Sequence, residues 1–270
     1  MLAWTIYISF IGVLVLMLLP REAARAARIV ALVTAVLGCA VAFAGALHQV
    51  RQTNAGDVTT IIKIDWIPAL GASYYLAADG ISLMLVVLTG LAAVAGILFS
   101  WNIEKRAKEF FAFYLALIGG VYGVFLSFDL LLLFVFYELT IIPKYFLIAR
   151  WGSTRKEYGA MKLALYSFVG SHLVLIGLIA AWVVARAQTG SATLNLVTLS
   201  QVVFPAGTWP FHTWAPTGHV AAPTAGSMLL AGVVMKLGAY GCLRVAMVLF
   251  PEGAREWQWT IAGLLSWSRV

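Results

Sequence analysis

The sequence predicts an all-α, polytopic membrane protein with a short extramembrane hairpin. Three observations lead there. Hydrophobic residues make up 62% of the chain and charged residues 11%, whereas a soluble domain carries about 25% charged residues. Several apolar runs reach the length that crosses a bilayer as a helix, about 20 residues. The basic residues behind the net charge of +7 sit in short loops between those runs, so topology explains the charge better than nucleic-acid binding does.

Seven spans are expected: Trp4–Leu19, Ile29–Leu47, Ile81–Ser100, Phe110–Leu126, Asp129–Ala149, Lys162–Ala185 and Ala222–Phe250. An eighth starts near Trp257 and stops at Val270 before it could cross. The first has its arginines (Arg21, Arg25, Arg28) after it rather than before. That is the reverse of a secretory signal, so a retained helix is expected.

Arg21, Arg25 and Arg28 form one basic loop; Lys105, Arg106 and Lys108 a second; Arg150, Arg155, Lys156 and Lys162 a third. They alternate with weakly charged connections. The positive-inside rule then places all three in the cytoplasm and the N-terminus outside. The outer loop Arg51–Asp79 contains Ile62-Lys63-Ile64-Asp65-Trp66, whose alternation predicts a short strand or hairpin. Gln188–Thr217 contains no Lys or Arg and is too polar and turn-rich for a clear span.

Cys39 and Cys242 both fall in apolar runs and read as small buried hydrophobes. The chain has no dinucleotide fingerprint, no phosphate-binding loop, no cysteine cluster and no HExxH. No cofactor is therefore expected in this chain.

Ionisable groups in mid-membrane are costly and tend to be kept for function. Glu138 lies near the middle of its span, five residues before Pro143. Proline cannot donate to the carbonyl four residues earlier and bends the helix there. A carboxylate beside a kink is a candidate proton station, set against a structural carboxylate bonded to a neighbouring helix. Lys236 is about midway along its span. A dry interior favours a neutral lysine and a nearby carboxylate favours the charged one, so a moving partner would switch its proton affinity. The competing reading is snorkelling to a surface.

His212 and His219 flank Trp214 and Pro216 in a broken segment; either could relay protons or simply end a helix. His172 is expected to pack between helices. Lys144, Arg150 and Arg244 are expected to snorkel.

At these residues the chain resembles the antiporter-like membrane subunits of NADH:quinone oxidoreductase (complex I), in particular the chain M (mitochondrial chain 4) branch. The likeness rests on Asp79-Gly80-Ile81-Ser82, on Phe136-Tyr137-Glu138 leading to Ile142-Pro143-Lys144-Tyr145-Phe146-Leu147-Ile148 and Trp151-Gly152, on Trp214-Ala215-Pro216, on Ala222-Pro223-Thr224-Ala225-Gly226-Ser227, and on Lys236 with Gly238-Ala239-Tyr240-Gly241 and Arg244. The resemblance implies six to eight of the family's fourteen helices, with residues 1–78 as an N-terminal unit and 79–270 as part of a proton-translocating domain. It implies that Glu138 and Lys236 belong to a proton path, and that redox energy released elsewhere drives it. NADH, FMN, iron–sulfur clusters and quinone are then expected in other subunits. The partners are the other membrane-arm subunits and the lipid bilayer, with no nucleic acid, and the location is the inner (plasma) membrane.

Two departures stand out. Where the family's seventh-helix lysine should fall the chain has Phe204-Pro205-Ala206, and about twenty residues, one helix's worth, look deleted nearby. The chain also stops inside the family's ninth helix, so it reads as a truncated fragment. The alternative readings are a subunit of a multi-subunit sodium/proton antiporter, a subunit of an energy-converting hydrogenase, or a fragment with no working role.

Overall fold

The structure is a computed structural model. It describes residues 1–20, 22–52, 58–153, 155–190, 192–199 and 240. The elements are α1 (Trp4–Leu18), α2 (Ala24–Gln52), β1 (Thr59–Ile67), β2 (Ala72–Ala78), α3 (Gly80–Phe99), α4 (Ala107–Leu126), α5 (Leu130–Trp151), α6 (Lys156–Thr189) and the single turn α7 (Leu196–Leu199). Helices α2 to α6 are long and apolar enough to cross a membrane, and α1 is a shorter apolar helix. A helix therefore stands at each of the first six expected spans, and five of them have the length and hydropathy of a span. Apart from Tyr240, the expected span Ala222–Phe250 lies outside the described residues.

Helix α4 is the central post. It packs against α1 and α5 most extensively, and against α2 and α3. Almost every residue from Phe110 to Leu126 is buried. Lipid tails are as apolar as leucine, so burial alone does not drive such contacts; close packing of small residues does. Glycines on two faces of α4 supply it. Gly119 admits α1: a Cβ there would stand 3.1 Å from Ser9 Cβ and from Phe10 Cε2. Gly120 and Gly123 admit α5: a Cβ on Gly120 would stand 2.7 Å from Thr140 Cγ2, and the Phe136 ring already fills the space at Gly123.

Within the helices the hydroxyls bond to their own backbone, as hydrocarbon requires. Ser9 donates to the Thr5 carbonyl (2.8 Å), Thr34 to Val30 (2.7 Å), Thr89 to Leu85 (2.7 Å) and Thr140 to Tyr137 (2.7 Å).

The three basic loops meet at one end of the bundle. Lys108 Nζ donates to the Met17 and Leu19 carbonyls at 2.8 and 2.6 Å, which caps the C-terminal end of α1 with a cation. Arg28 donates to the Ile103 carbonyl (3.1 Å) and Trp151 Nε1 to the Lys105 carbonyl (2.8 Å). Arg150 pairs with Glu109 at 3.3 Å, and Arg106 pairs with the same carboxylate at 3.5 Å.

The opposite end is closed by the hairpin. Strands β1 and β2 pair antiparallel from Thr59↔Ala78 to Ile67↔Ala72, with register shifts after Thr60 and after Asp65. The predicted outer hairpin is present: residues 62–66 are the middle of β1, which is longer than expected, and β2 is its second strand. Gly71 turns the chain with φ +65°, and a Cβ there would collide with the Ala192 carbonyl, so glycine is required twice over.

Asp129 ties this hairpin to the bundle. It is fully buried. Its Oδ1 accepts from the Leu131 and Leu132 amides (3.0 and 3.2 Å) and so caps α5. Its Oδ2 accepts from the Ser73 amide at 2.9 Å. Burial pushes this carboxyl up, while the bonds from Ser73, Leu132 and Leu131 pull it down. Backbone bonds complete the lid: Phe128 donates to Tyr75 (2.9 Å), Leu130 to Leu194 (2.9 Å) and Leu196 to Phe128 (2.9 Å).

The glycine face of α4 makes a direct prediction. Gly123→Val overpacks the α4–α5 seam, which costs about 1–3 kcal/mol, and lowers the amount of chain that accumulates in membranes. Adding Phe136→Ala restores part of it, as read by immunoblot of membrane fractions. A Gly123→Val chain accumulating like wild type would contradict this packing.

Candidate functional site

The site is built on α5. Asp129 fixes its start, and the seam with α4 fixes its rotation. The buried stripe runs through Leu132, Phe136, Thr140, Pro143, Lys144, Leu147 and Ile148. Glu138 stands about 12 Å along the axis from the helix start and about 20 Å from Trp151, at 1.5 Å per residue. That is the interior depth expected from the sequence.

Glu138 is half-buried. Its Oε1 is shielded from solvent and has no hydrogen-bond partner, and it makes no ion pair with a described residue. A shielded carboxylate oxygen is costly without a partner, and no described residue supplies one to Glu138. Pro143 follows inside the same helix and leaves the Leu139 carbonyl without its usual helical donor.

Lys144 corrects the expectation of snorkelling. It is only 6% exposed, and its Nζ lies 5.6 Å from the centre of the Tyr137 ring. The reason is geometric. Side chains on a helix lean toward that helix's own N-terminus, and the C-terminal end of α5 is the one at the basic loops. Lys144 therefore leans back toward Tyr137, seven residues earlier on the same face, and away from the nearby surface. Arg150, closer to the end, does reach the surface and pairs there with Glu109.

His172 is also corrected. It is exposed, and its Nδ1 lies 2.6 Å from the Phe168 carbonyl of its own helix, so it needs no neighbouring helix. Cys39 is half-buried. Lys236, His212, His219, Arg244 and Cys242 lie outside the described residues. Tyr240, four residues after Lys236, is described. It is buried, shares a 3.1 Å hydrogen bond with Ser82 Oγ at the start of α3, and donates to the Phe125 carbonyl on α4 at 3.1 Å.

Two features were not singled out from sequence. One is the burial of Lys144. The other is the Tyr122 hydroxyl, which is buried on α4 without a partner; its position near Gly38 and Gly90 turns it toward α2 and α3, away from α5.

The model of the NADH:quinone oxidoreductase/Mrp antiporter transmembrane family matches residues 127–269. This match begins at the hairpin end of α4 and takes in Glu138 and Lys144. The chain belongs to that family. The NADH-quinone oxidoreductase subunit M of Pseudomonas aeruginosa is 34% identical over 285 aligned positions, covering 94% of this chain and 56% of that protein. This chain thus spans little more than half the length of such relatives. A chain of respiratory complex I from Thermus thermophilus superposes with a TM-score of 0.77 at 22% identity, over 96% of this chain and 55% of that one. A chain of the Mrp complex from a Dietzia species gives 0.70 at 21%, over 92% and 28%. At those identities the likeness is one of fold. The chain thus shares its helical arrangement with a chain of each of those two complexes.

The burial of Lys144 can be measured. With Cys39 and Cys242 replaced by alanine, a membrane-impermeant maleimide labels Arg150→Cys in inverted vesicles at least about ten-fold faster than Lys144→Cys, because reaction needs an exposed thiolate. Equal rates would mean that Lys144 reaches the surface.

Proposed function

We propose that this chain is a membrane subunit of a proton-pumping NADH:quinone oxidoreductase and forms part of a proton channel. The observation that carries the reading is Glu138: a mid-span carboxylate, unpartnered at Oε1, on a helix that contains Pro143, in a chain 34% identical to a subunit M. Such a group takes up and releases a proton according to the charge placed beside it. Lys236 is the second station on the path, with His212 and His219 as relays in the broken segment between the two.

In this reading residues 79–270 form the translocating part and residues 1–78 an N-terminal support. Redox chemistry, with NADH, FMN, iron–sulfur clusters and quinone, resides in other subunits. Electron transfer there shifts charge along the membrane arm and alters the proton affinity of Lys236 through Glu138. The partners are neighbouring membrane-arm subunits and the lipid of the inner (plasma) membrane. The meeting of three basic loops at one end of the bundle supports a cytoplasmic basic end and an N-terminus outside.

A second reading is a subunit of a multi-subunit sodium/proton antiporter. It is favoured by the fold likeness to the Mrp chain, and the same glutamate and lysine would serve it.

Two experiments bear on this. Glu138→Gln or Lys236→Ala, placed in the chromosomal gene, lowers NADH-driven proton uptake by inverted membrane vesicles by about ten-fold or more, the scale of losing a positioned proton-transfer group. Undiminished uptake in both removes the assignment, and sodium exchange without NADH moves it to the antiporter. For orientation, Asp65→Cys in the cysteine-free chain reacts with an impermeant maleimide on intact spheroplasts, and Lys105→Cys reacts only after permeabilisation. The opposite pattern inverts the topology.

A further inference from the structure

Lys144 is a buried ammonium that the proposed path does not use. An unpaired charge in the interior is costly and normally carries a compensating partner. The two ion pairs among the described residues both involve Glu109, at the exposed rim. Helix α4 has no other acid to offer, and the acid of α6, Glu157, sits in its first turn. On α5 itself the one acid is Glu138. It is about 9 Å nearer the start of the helix, on the side toward which Lys144 leans. Between them Pro143 frees the Leu139 carbonyl, an acceptor on which one or two bridging waters can be held. An orphaned carboxylate oxygen lies at one end of this stretch and a buried ammonium at the other.

We propose that Lys144 is a relay that delivers protons to Glu138 from the basic-loop end of the bundle. This rests on the reading of Glu138 as a proton station. In the step, an N–H bond of the Lys144 ammonium breaks and an O–H bond forms on the Glu138 carboxylate through the intervening water. A neutral amine and a neutral acid remain. The amine then takes a proton from water at the basic end, about 10 Å away along α5. Lys144 thereby gives Glu138 a one-sided connection without help from the later helices. The Tyr137 ring holds the ammonium form in place by its π-face.

The test uses chromosomal variants, with protons taken up per NADH oxidised measured in inverted vesicles and assembly checked by native gel. Lys144→Met lowers the ratio about five-fold or more, as expected when a positioned proton donor is lost. Lys144→His keeps an exchangeable proton on a weaker base, so it retains pumping with the optimum moved to lower pH, a shift that a merely structural lysine would not produce. Normal pumping by Lys144→Met alongside impaired Glu138→Gln overturns the relay and leaves the Glu138 reading standing. Normal pumping by both overturns the parent reading. If Lys144→Met fails to assemble, Lys144→His decides: a pH profile superimposable on wild type overturns the relay. Failure of both variants to assemble makes the lysine structural and overturns it too.

Discussion

The seating of α5 on the glycine face of α4 is the contact on which the rest depends. A helix in hydrocarbon gains little by burying apolar surface against another helix, so its rotation is set by where backbones can approach. Gly120 and Gly123 open that place, and Thr140 and Phe136 fill it. Once those two residues are seated, every other side chain of α5 has its direction. Glu138 points to a half-buried flank and Lys144 to the buried face. Moving the seam by one residue would rotate α5 by about 100° and send both charges elsewhere. The chemistry of the site is thus a consequence of where two glycines fall on the neighbouring helix.

The two ends of the bundle terminate the helices by different means. At the basic end, side-chain cations cap helix carbonyls, as Lys108 does for Met17 and Leu19. At the other end a buried carboxylate caps α5 and at the same time receives the Ser73 amide of the hairpin. Cationic side chains suit helix C-termini and carboxylates suit N-termini, and Lys108 on α1 and Asp129 on α5 follow that rule.

Much of this was legible in the sequence, for physical reasons. Apolar runs marked six helices in their right places, five of them long enough to cross a bilayer, because hydrocarbon demands continuous helix. The ends were less legible. Helices α2 and α6 run several residues past the apolar stretch, through residues such as Arg51 and Gln188, since helical hydrogen bonding continues where the medium turns polar. The alternation at Ile62–Trp66 exposed the middle of β1 and with it the hairpin, while the bounds of β2 were not legible because its buried run Ala72–Ala78 does not alternate. Depth alone singled out Glu138. Depth misjudged Lys144, because it ignores the lean of side chains toward the helix N-terminus, and misjudged His172, whose partner lies in its own backbone. The link from Asp129 to Ser73 spans 56 residues, which no local pattern encodes.

Helix α6 carries one more implication. Its 34 residues make a rod about 51 Å long, against a hydrocarbon slab of about 30 Å. Transmembrane helices tilt by at most about 40°, which absorbs only part of the excess. The rod must stand proud of the slab. Trp182, whose ring nitrogen donates to the Leu70 carbonyl at the hairpin turn, lies about 39 Å from the start of that rod. That bond ties the hairpin turn to the far part of the rod, with an indole, a ring suited to a boundary between apolar and polar surroundings. The long helix therefore doubles as a tether: its far part reaches beyond the apolar slab's own thickness and holds the lid over α5 through that one bond.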